Sequence, residues 1–388
     1  MKQQQQVQPQ NERKSITQPP LSEEERVIYG NRQPKGYKKL SILGRGGCAL
    51  VWLAIDETSQ IQVALKQFPK FSNGQPNANL DSGYRELQIN KGYFNAGGQI
   101  SDKFSSHPGI QVLCRFLDSY EDKQDLWLVF ELCGKPLSKQ LYEVKGEFFK
   151  GERIYSVVHD DALFFRFEES NCKLFKILIE RLAQALQLLQ VSGNVHSDLK
   201  SENIMLINKN DGEIDFKIID LGSGFPFAKI NDYLETTTPE YLPPEILEFI
   251  EQKQSLSSQG QQLDITKRIH PWSLDVWSMG AILLETVIGF PLWLSYKGRI
   301  LKSTISSTVQ QGLFAVQGRV PKKIILKQQA FLKSLRPTLR KSFPRELCLG
   351  GLNQNEQFID LLSGMMDLNP LNRLSPKEIL SHPFLKYD

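Results

Sequence analysis

Short runs of alternating hydrophobic and polar residues predict β-strands over residues 37–132. The five runs occupy residues 37–43, 49–55, 61–68, 111–120 and 125–132. Alternation with a period of two places the apolar side chains on one face of a strand, so the runs fit one antiparallel sheet. Helical periodicity at 82–96 separates the third run from the fourth, which predicts one helix inserted into a small β-rich lobe.

After residue 134 the hydrophobic period becomes helical. Apolar residues recur at three- and four-residue steps from Phe175 to Leu189, which predicts one long amphipathic helix that ends at Gly193. A second helix, at 274–288, is apolar around most of its circumference, a pattern typical of a helix buried at a domain centre. We therefore predict a larger helical lobe, joined to the β-rich lobe by a hinge at 130–134.

Composition excludes several classes of protein. Hydrophobic residues make up 40% of the 388 residues, too many for a disordered chain, and a net charge of +4 is too weak for a dedicated nucleic-acid domain. Five scattered cysteines without a C-x-x-C pair argue against a disulfide framework or a zinc site. Because the most apolar window, 281–294, is broken by Glu285 and Pro291, we expect no membrane span. The expected location is cytoplasmic, with the nucleus also open.

The first 35 residues differ from the rest of the chain. They combine a glutamine run with several prolines and show no hydrophobic period. Such a segment buries too little apolar surface to offset the entropy lost on ordering. Residues 1–35 are therefore predicted to be a flexible, disordered tail.

A glycine cluster lies in the turn between the first two predicted strands. The sequence LGRGGCALVW contains Gly44, Gly46 and Gly47, and the missing side chains would let backbone N–H groups approach a phosphate chain. Taken alone, such a cluster is more often only a turn. The third strand contains Lys66 between apolar neighbours, which favours a position facing a ligand over a solvated edge. A buried ammonium needs a partner, and Glu86 in the following helix is the candidate.

A polar loop follows the long helix. The sequence NVHSDLKSENIM places Asp198, Lys200 and Asn203 close together, and an apolar strand downstream ends in Asp220. A polar loop is ordinarily only a connection. This composition instead suits a carboxylate that receives a hydroxyl proton, a lysine that neutralises a transferred phosphoryl group, and two oxygen ligands for Mg²⁺.

These motifs form an ordered set. They are GRGGCALV, VALK, a helix glutamate, HSDLKSEN, DLG, TTTPEYLPPE, DVWSMG and NPLNRLSP. The set resembles the eukaryotic protein kinase superfamily over residues 37–385. The resemblance implies a bilobal α+β protein kinase fold, with a small five-stranded antiparallel β lobe containing one helix at 36–133 and a larger, mainly α-helical lobe at 134–388.

The resemblance implies roles that agree with the chemistry above. Lys66, paired with Glu86, would hold the α- and β-phosphates of ATP. Asp198 would be the catalytic aspartate and Lys200 the lysine that contacts the γ-phosphate. The implied Mg²⁺ ligands are Asn203 and Asp220.

The resemblance also implies an adenine site. The apolar residues that would sandwich the base are Leu43, Val51, Ala64, Met205 and Ile219. Phe130 falls at the gatekeeper position, and Glu131 and Cys133 would offer backbone groups to the adenine edge. For the Cys133 thiol the simpler interpretation is a small buried hydrophobe.

Four further residues are implied to be structural. His196 would pack behind the catalytic loop, and Asp275 would brace the backbone of that loop from the central helix. Glu245 would form a buried ion pair with Arg373.

Lys200, and Thr238 in TPEYLPPE, are similar to the residues that serine/threonine kinases have at these positions. The resemblance therefore implies that the phosphoryl acceptor is a serine or threonine hydroxyl.

The pattern departs from the family at Ser197, where an arginine usually receives an activation-loop phosphate. We therefore expect activity without phosphorylation of Thr236 or Thr237. Ala49 replaces a third glycine, and Asn90 stands where the family has an apolar residue.

Three insertions distinguish the chain. Residues 143–166 are predicted to form a packed β-hairpin or lid, and the glutamine-rich residues 250–270 a mobile loop. Residues 297–345 contain twelve lysines and arginines and no acidic residue. Such a run is usually a solvated face. The alternative is a docking surface for acidic protein segments, phosphoinositide or RNA.

The sequence therefore predicts a serine/threonine protein kinase that uses ATP and Mg²⁺ to phosphorylate a protein substrate. A pseudokinase scaffold, which would bind nucleotide or partners without turnover, is the rival interpretation because of Ser197, Ala49 and Asn90. A small-molecule kinase is disfavoured by TPEYLPPE, a segment that shapes the peptide groove in protein kinases.

Overall fold

The computed structural model describes residues 19–72, 74–159, 161–209, 212–235, 238–257, 263–296, 299–300, 315–318, 320–342 and 349–386. The chain divides into two compact units. The first comprises the residues up to Gly83 together with Asp118–Leu132, and the second comprises Tyr84–Leu117 and Cys133–Asp388. The boundary after Leu132 falls within the predicted hinge at 130–134.

The first unit is built on a five-stranded antiparallel sheet. Its elements are α1 Glu23–Tyr29, β1 Tyr37–Arg45, β2 Leu50–Asp56, β3 Gln62–Pro69, β4 Phe71–Ser72, β5 Gln75–Pro76, α2 Leu80–Tyr93, β6 Phe116–Glu121 and β7 Asp125–Glu131. Of these, α2 and β6 also have residues in the second unit. The strand order is β1-β2-β3-β7-β6, and β4 and β5 form a separate small hairpin. The predicted sheet and its single inserted helix are thus confirmed.

The register of this sheet places the candidate ligand-binding residues on neighbouring strands. Val51 of β2 lies opposite Gly44 of β1 on one side and opposite Lys66 of β3 on the other. Ala64 of β3 lies opposite Phe130 of β7. Because Val63, Leu65 and every β7 residue from Leu126 to Val129 are buried, packing specifies this register strongly.

Part of the predicted flexible tail is ordered. Residues 1–18 lie outside the described residues, but Glu23–Tyr29 form the helix α1. Ser22 begins it with a capping box, in which the Ser22 hydroxyl accepts from the Glu25 N–H at 3.2 Å and the Glu25 carboxylate accepts from the Ser22 N–H at 2.9 Å. The prediction of a tail without structure is therefore wrong for this segment, because polar capping and ion pairs order it without a hydrophobic stripe.

A buried polar cluster attaches the N-terminal segment to the sheet. The Arg32 guanidinium donates to both oxygens of Asp125, at 2.5 and 3.1 Å, and Asp125 is fully buried. The side-chain amide of Gln67 donates to Asp125 Oδ1 and to the Tyr29 carbonyl, each at 3.0 Å, and accepts from the Trp52 indole N–H. A buried carboxylate is stable only when such donors surround it. The Asp125 carboxylate therefore requires the Arg32 guanidinium.

The second unit is mainly helical. After Leu132 its elements are β8 Lys135–Pro136, α3 Ser138–Leu141, β9 Tyr142–Phe149, β10 Glu152–His159, α4 Asp161–Ser192, β11 Asn194–Val195, β12 Ile204–Asn208, β13 Ile214–Ile218, β14 Phe225–Pro226, α5 Ile230–Tyr233, α6 Pro244–Ser257, α7 Ser273–Ile288, β15 Leu294–Tyr296, β16 Arg299–Ile300, β17 Ala315–Gln317, α8 Pro321–Lys333, α9 Leu335–Ser342, α10 Glu356–Met365 and α11 Pro376–Leu380. Single turns of 3₁₀ helix connect many of these elements.

The two predicted helices form the core of this unit. Helix α4 ends at Ser192, as the glycine at 193 predicts, although Asn171 and Cys172 have left-handed φ values of 56° and 59° and interrupt its regular geometry. All sixteen residues of α7 are buried, which confirms its central position. The predicted pair of Glu245 and Arg373 is bidentate, at 2.6 and 2.9 Å.

The insertions are more ordered than their composition indicates. Strands β9 and β10 form the expected hairpin, but most β9 side chains are exposed, so it is not packed along its length. The prediction of a mobile loop at 250–270 is wrong for its described ends: helix α6 continues to Ser257, and Ile265 and Ile269 are buried. Residues 258–262 lie outside the described residues.

Only part of the basic segment at 297–345 is described. Helix α8 buries Ile324, Ile325 and Phe331 and exposes Lys322 and Lys323, which agrees with a solvated basic face over this helix. Residues 297–298, 301–314, 319 and 343–345 lie outside the described residues. In the described part of the chain, none of the helices has both the length and the hydropathy needed to cross a membrane.

The Arg32–Asp125 pair predicts a large stability difference between two N-terminal arginines. Arg32→Ala leaves a fully buried carboxylate without its cation, and we expect a loss of about 2–4 kcal/mol in the free energy of unfolding. Arg45→Ala removes a pair with Glu25 at the surface and should cost less than about 1 kcal/mol. Urea unfolding followed by tryptophan fluorescence measures both; equal losses would contradict this account.

Candidate active site

The glycine-rich turn of the first unit has open space beside each of its three glycines. A Cβ atom added to Gly44 or Gly47 would meet no heavy atom of the described chain within 4 Å, and one added to Gly46 would meet only the Ala49 carbonyl, at 3.4 Å. None of the three has a left-handed φ. Neither backbone conformation nor internal packing therefore explains these glycines, whereas close approach of a ligand would.

The neighbouring strands supply a cation and apolar side chains. Lys66, Val51 and Ala64 are each partly exposed on the sheet, and Leu43 is 39% exposed. Phe130 is nearly buried at the end of β7, and Glu131 follows it with a partly exposed side chain. The first unit thus places its predicted nucleotide contacts on β1, β2, β3 and β7 and in the turn between β1 and β2.

A buried carboxylate organises the loop after α4. Asp275, near the start of α7, accepts hydrogen bonds from the backbone N–H groups of His196 and Ser197, at 2.7 and 2.9 Å. Burial raises the pKa of Asp275, and these two donors oppose that shift. Ser197 has a left-handed φ of 67°, a conformation that a non-glycine residue keeps only when its surroundings impose it. The predicted brace and the packing role of the fully buried His196 are both confirmed.

The side chains of Asp198, Lys200 and Thr238 contact one another pairwise. Asp198 Oδ2 is 2.6 Å from Lys200 Nζ, and Asp198 Oδ1 accepts a hydrogen bond from the Thr238 hydroxyl at 2.7 Å. Lys200 Nζ also donates to the Thr238 hydroxyl, at 3.1 Å. The side chains of Asp198 and Lys200 are 11% and 22% exposed, so this carboxylate is shielded and still within reach of a ligand.

The two candidate metal ligands lie on connected segments. Asn203 donates from its side-chain amide to the Asp198 carbonyl at 2.9 Å, which directs its amide nitrogen into the loop and leaves its side-chain oxygen as the acceptor. The Ile219 N–H donates to the Asn203 carbonyl at 3.0 Å and so ties the residue before Asp220 to this loop. Asp220 has a left-handed φ of 66°. An amide oxygen and a carboxylate suit a hard cation such as Mg²⁺.

The remaining predicted residues of the second unit are placed as follows. Met205 lies on β12 opposite Pro136 of β8, and it is partly exposed, as is Ile219 after β13. Cys133 directly precedes Gly134 and is partly exposed. Glu86 is buried in α2, and Asn90, one turn later, donates its amide to the Glu86 carbonyl at 2.9 Å. Thr236 and Thr237 lie outside the described residues.

Comparison with known proteins assigns the family. The model of the protein kinase domain matches residues 37–385. The chain belongs to the protein kinase family. This confirms the fold class predicted from the ordered motifs.

Proteins to which this chain is similar are also kinases. The chain is 26% identical over 345 residues to calcium-dependent protein kinase 8 of Oryza sativa subsp. japonica, covering 88% of this chain and 47% of that protein. It is 26% identical over 362 residues to the mitogen-activated protein kinase KSS1 of Saccharomyces cerevisiae, covering 91% of this chain and 83% of that protein. A third relative, cyclin-dependent kinase G1 of Arabidopsis thaliana, is 25% identical over 371 residues, with 92% and 50% covered. The chain thus spans about half the length of two of these relatives.

The kinase core contains a second buried carboxylate that the motifs do not indicate. Glu285 of α7 is fully buried and accepts hydrogen bonds from three hydroxyl groups: those of Tyr142, of Tyr241 at 2.5 Å and of Ser201 at 3.1 Å. These donors belong to the first residue of β9, to the segment after Thr238 and to the catalytic loop. The signal in the sequence was an acidic residue in the apolar C-terminal half of α7, since such a residue needs partners when buried.

Glu285 predicts a pH-dependent stability difference. Burial raises the pKa of Glu285 well above its ordinary value, so the folded protein retains this proton at pH values where the unfolded chain has lost it. The resulting stability is complete below about pH 4.5 and is lost as the pH rises through the folded-state pKa. Glu285→Gln cannot ionise. Its free energy of unfolding, relative to wild type, should therefore rise as the pH is raised above about 5, until the folded-state pKa of Glu285 is reached.

The control for this measurement is Glu25→Gln. Hydrogen bonds from Arg45 and Ser22 lower the pKa of Glu25, so its contribution is complete above about pH 5. The difference between this variant and wild type should stay constant over the same range. A flat profile for Glu285→Gln would show that the Glu285 carboxyl group is ionised in the fold.

Proposed function

We propose that this kinase transfers the γ-phosphoryl group of ATP to serine and threonine hydroxyls of protein substrates. The observation that carries the proposal is the Asp198–Thr238 contact. The Asp198 carboxylate accepts a hydrogen bond from an alcohol hydroxyl, which is the contact that a serine or threonine acceptor would make. A carboxylate in this position orients the nucleophile and receives its proton.

Lys200 complements Asp198 in this mechanism. Its ammonium lies against the carboxylate and the Thr238 hydroxyl, so three polar groups hold one another in place. A lysine at this position would neutralise charge on the phosphoryl group as it leaves ATP. The rate enhancement would thus come from positioning and electrostatic stabilisation rather than from a covalent intermediate.

The first unit would bind the phosphates of the nucleotide. The open positions at Gly44, Gly46 and Gly47 would let the backbone approach the phosphates, and Lys66 would contribute its ammonium to them. The apolar surfaces of Leu43, Val51, Ala64, Met205 and Ile219, with Phe130, Glu131 and the backbone of Cys133, would bind the adenine. Glu86 would be the partner of Lys66.

Mg²⁺ would be held by the side-chain oxygens of Asn203 and Asp220, and when bound it would neutralise the phosphate charge. The structure supports this assignment because the amide nitrogen of Asn203 is already engaged with the Asp198 carbonyl. The chain's own contribution is the rigid connection between these ligands, through the Ile219–Asn203 backbone hydrogen bond.

The proposal extends to a partner beyond the protein substrate, to regulation and to location. An acidic partner on the basic segment 297–345 remains a sequence-based hypothesis, supported by the exposed lysines of α8. Independence from phosphorylation of Thr236 and Thr237 rests on Ser197, whose short side chain offers no guanidinium to a phosphate. Location in the cytosol or nucleus is likewise a prediction from the sequence.

Catalysis is tested by incorporation of labelled phosphate from ATP and Mg²⁺ into a generic serine/threonine substrate. Asp198→Asn and Lys66→Met should each lower the rate by at least about 10²-fold, because they remove the acceptor carboxylate and the phosphate-binding ammonium. Asp102→Asn and Lys123→Met alter exposed residues of the same types and should leave the rate unchanged. Equal incorporation by all variants would contradict the assignment and favour a scaffold without turnover.

Thr238 is predicted to be a positioning residue for Asp198 and Lys200. Thr238→Ala removes a hydrogen bond to each charged group and should lower kcat by about 10- to 100-fold. Thr238→Ser keeps the hydroxyl and should retain most of the activity. Steady-state kinetics at varied ATP should show a loss in kcat larger than any change in the KM for ATP. A Ser variant as inactive as the Ala variant would contradict the role of the hydroxyl.

A further inference from the structure

Two cysteines of the second unit bring their thiols together. The Sγ atoms of Cys114 and Cys133 are 3.3 Å apart. Cys114 precedes β6 and is buried, whereas Cys133 follows β7 and is partly exposed. A disulfide bond is about 2.05 Å long, so the sulfur atoms need to approach by little more than ~1 Å to form one.

The backbone around Cys114 is fixed to β13. Its N–H donates to the Ile218 carbonyl at 2.8 Å, and the Ile218 N–H donates to the Val112 carbonyl at 2.8 Å. Leu113 and Ile218 form a parallel bridge between these hydrogen bonds. Cys114 is therefore held beside the strand that leads to Asp220.

The backbone around Cys133 is fixed to β12. Gly134 approaches this strand so closely that a Cβ atom on it would lie 1.7 Å from the Leu206 carbonyl oxygen. The Leu137 N–H donates to the Ile204 carbonyl at 2.7 Å, and β8 pairs with β12 at Met205 and Leu206. Because β12 and β13 are themselves paired, both thiols are attached to one rigid hairpin and stay in register.

We propose that Cys114 and Cys133 form a reversible intramolecular disulfide when the kinase meets hydrogen peroxide. The thiolate of the more exposed Cys133 attacks one peroxide oxygen, the O–O bond breaks, and a sulfenic acid and one water are formed. The Cys114 thiolate then attacks the sulfenic sulfur, the S–O bond breaks, and the oxygen leaves as a second water. The two thiols lose two electrons in total, and one peroxide is reduced to two waters. A dithiol reductant reverses the reaction.

The disulfide would act on the adenine site, and this consequence rests on the proposed function. Cys133 is the residue whose backbone we assign to the adenine edge, and Met205 lies on the strand to which Gly134 packs. Because Gly134 stays fixed to that strand, drawing the two sulfur atoms together would reorient the backbone groups of Cys133 itself. Loss of one hydrogen bond to adenine would weaken ATP binding by about three- to tenfold.

Peptide mapping tests the disulfide without any measurement of activity. The reduced full-length protein is treated with increasing hydrogen peroxide, alkylated, and digested without reductant. We expect a peptide pair joined through Cys114 and Cys133, lighter by two hydrogen atoms than the separate peptides, which dithiothreitol separates. Cys172→Ser alters another free cysteine and should still form the pair, whereas Cys114→Ser and Cys133→Ser should not.

ATP affinity tests the consequence. With a fluorescent ATP analogue, oxidised wild type should bind about three- to tenfold more weakly than reduced protein and recover with dithiothreitol. Cys114→Ser retains Cys48 of the glycine-rich turn and Cys133, so peroxide should not change its affinity if the disulfide is the cause. If Cys114→Ser does not fold, the same measurement is made with Cys114→Ala.

The outcomes separate the claims. Sulfinic acid at Cys133, or mixed disulfides without a Cys114–Cys133 peptide, would overturn the proposed disulfide. The joined peptide with unchanged affinity would overturn its effect on the adenine site. Failure of the reduced wild type to bind the analogue would overturn the proposed function instead, because the peptide map does not depend on nucleotide.

Discussion

The hydrogen bonds from His196 and Ser197 to Asp275 are the interaction on which the candidate site depends. Asp275 lies in a helix whose residues are all buried, so its carboxylate is stable only where donors surround it. The two backbone N–H groups meet this requirement and in return hold Ser197 in its left-handed conformation. The next residue is Asp198. Its carboxylate is therefore positioned by the core of the second unit and not by the flexibility of a surface loop.

From this constraint the other site contacts follow in short steps along the chain. The side chains of Lys200 and Thr238 donate hydrogen bonds to the Asp198 carboxylate. The side-chain amide of Asn203 donates to the Asp198 carbonyl. The Asn203 backbone then receives the Ile219 N–H, next to Asp220. A displacement at Asp275 would thus reach the proton acceptor and both candidate metal ligands.

The elements that sequence periodicity and motifs predicted correctly are those with a repeating local cause. The five strands alternate, helix α4 repeats at three to four residues, and α7 is apolar around its circumference. Asp275, Glu245 and Arg373 were predictable because their roles belong to ordered motifs. The polar cluster at Asp125 was not predictable, since Arg32, Gln67 and Trp52 are far apart in sequence and each resembles an ordinary surface or strand residue. Composition misled at the described residues of 1–35 and 250–270, because glutamine-rich segments can still end in well-capped or packed turns.

The two buried carboxylates that join additional segments to the kinase core differ in chemical character. Asp125 receives a guanidinium from the N-terminal segment, so its partner carries a permanent charge. Among the described residues, the hydrogen bonds to Glu285 come from neutral hydroxyls, including that of Tyr142 at the start of the hairpin, and such donors carry no charge to offset the cost of its ionisation. Burial accordingly raises the pKa of Glu285. The N-terminal segment is therefore attached through an ion pair, whereas the hairpin and the catalytic loop meet at a buried carboxyl group whose ionisation costs desolvation energy and lowers the stability of the second unit as the pH rises through its raised pKa.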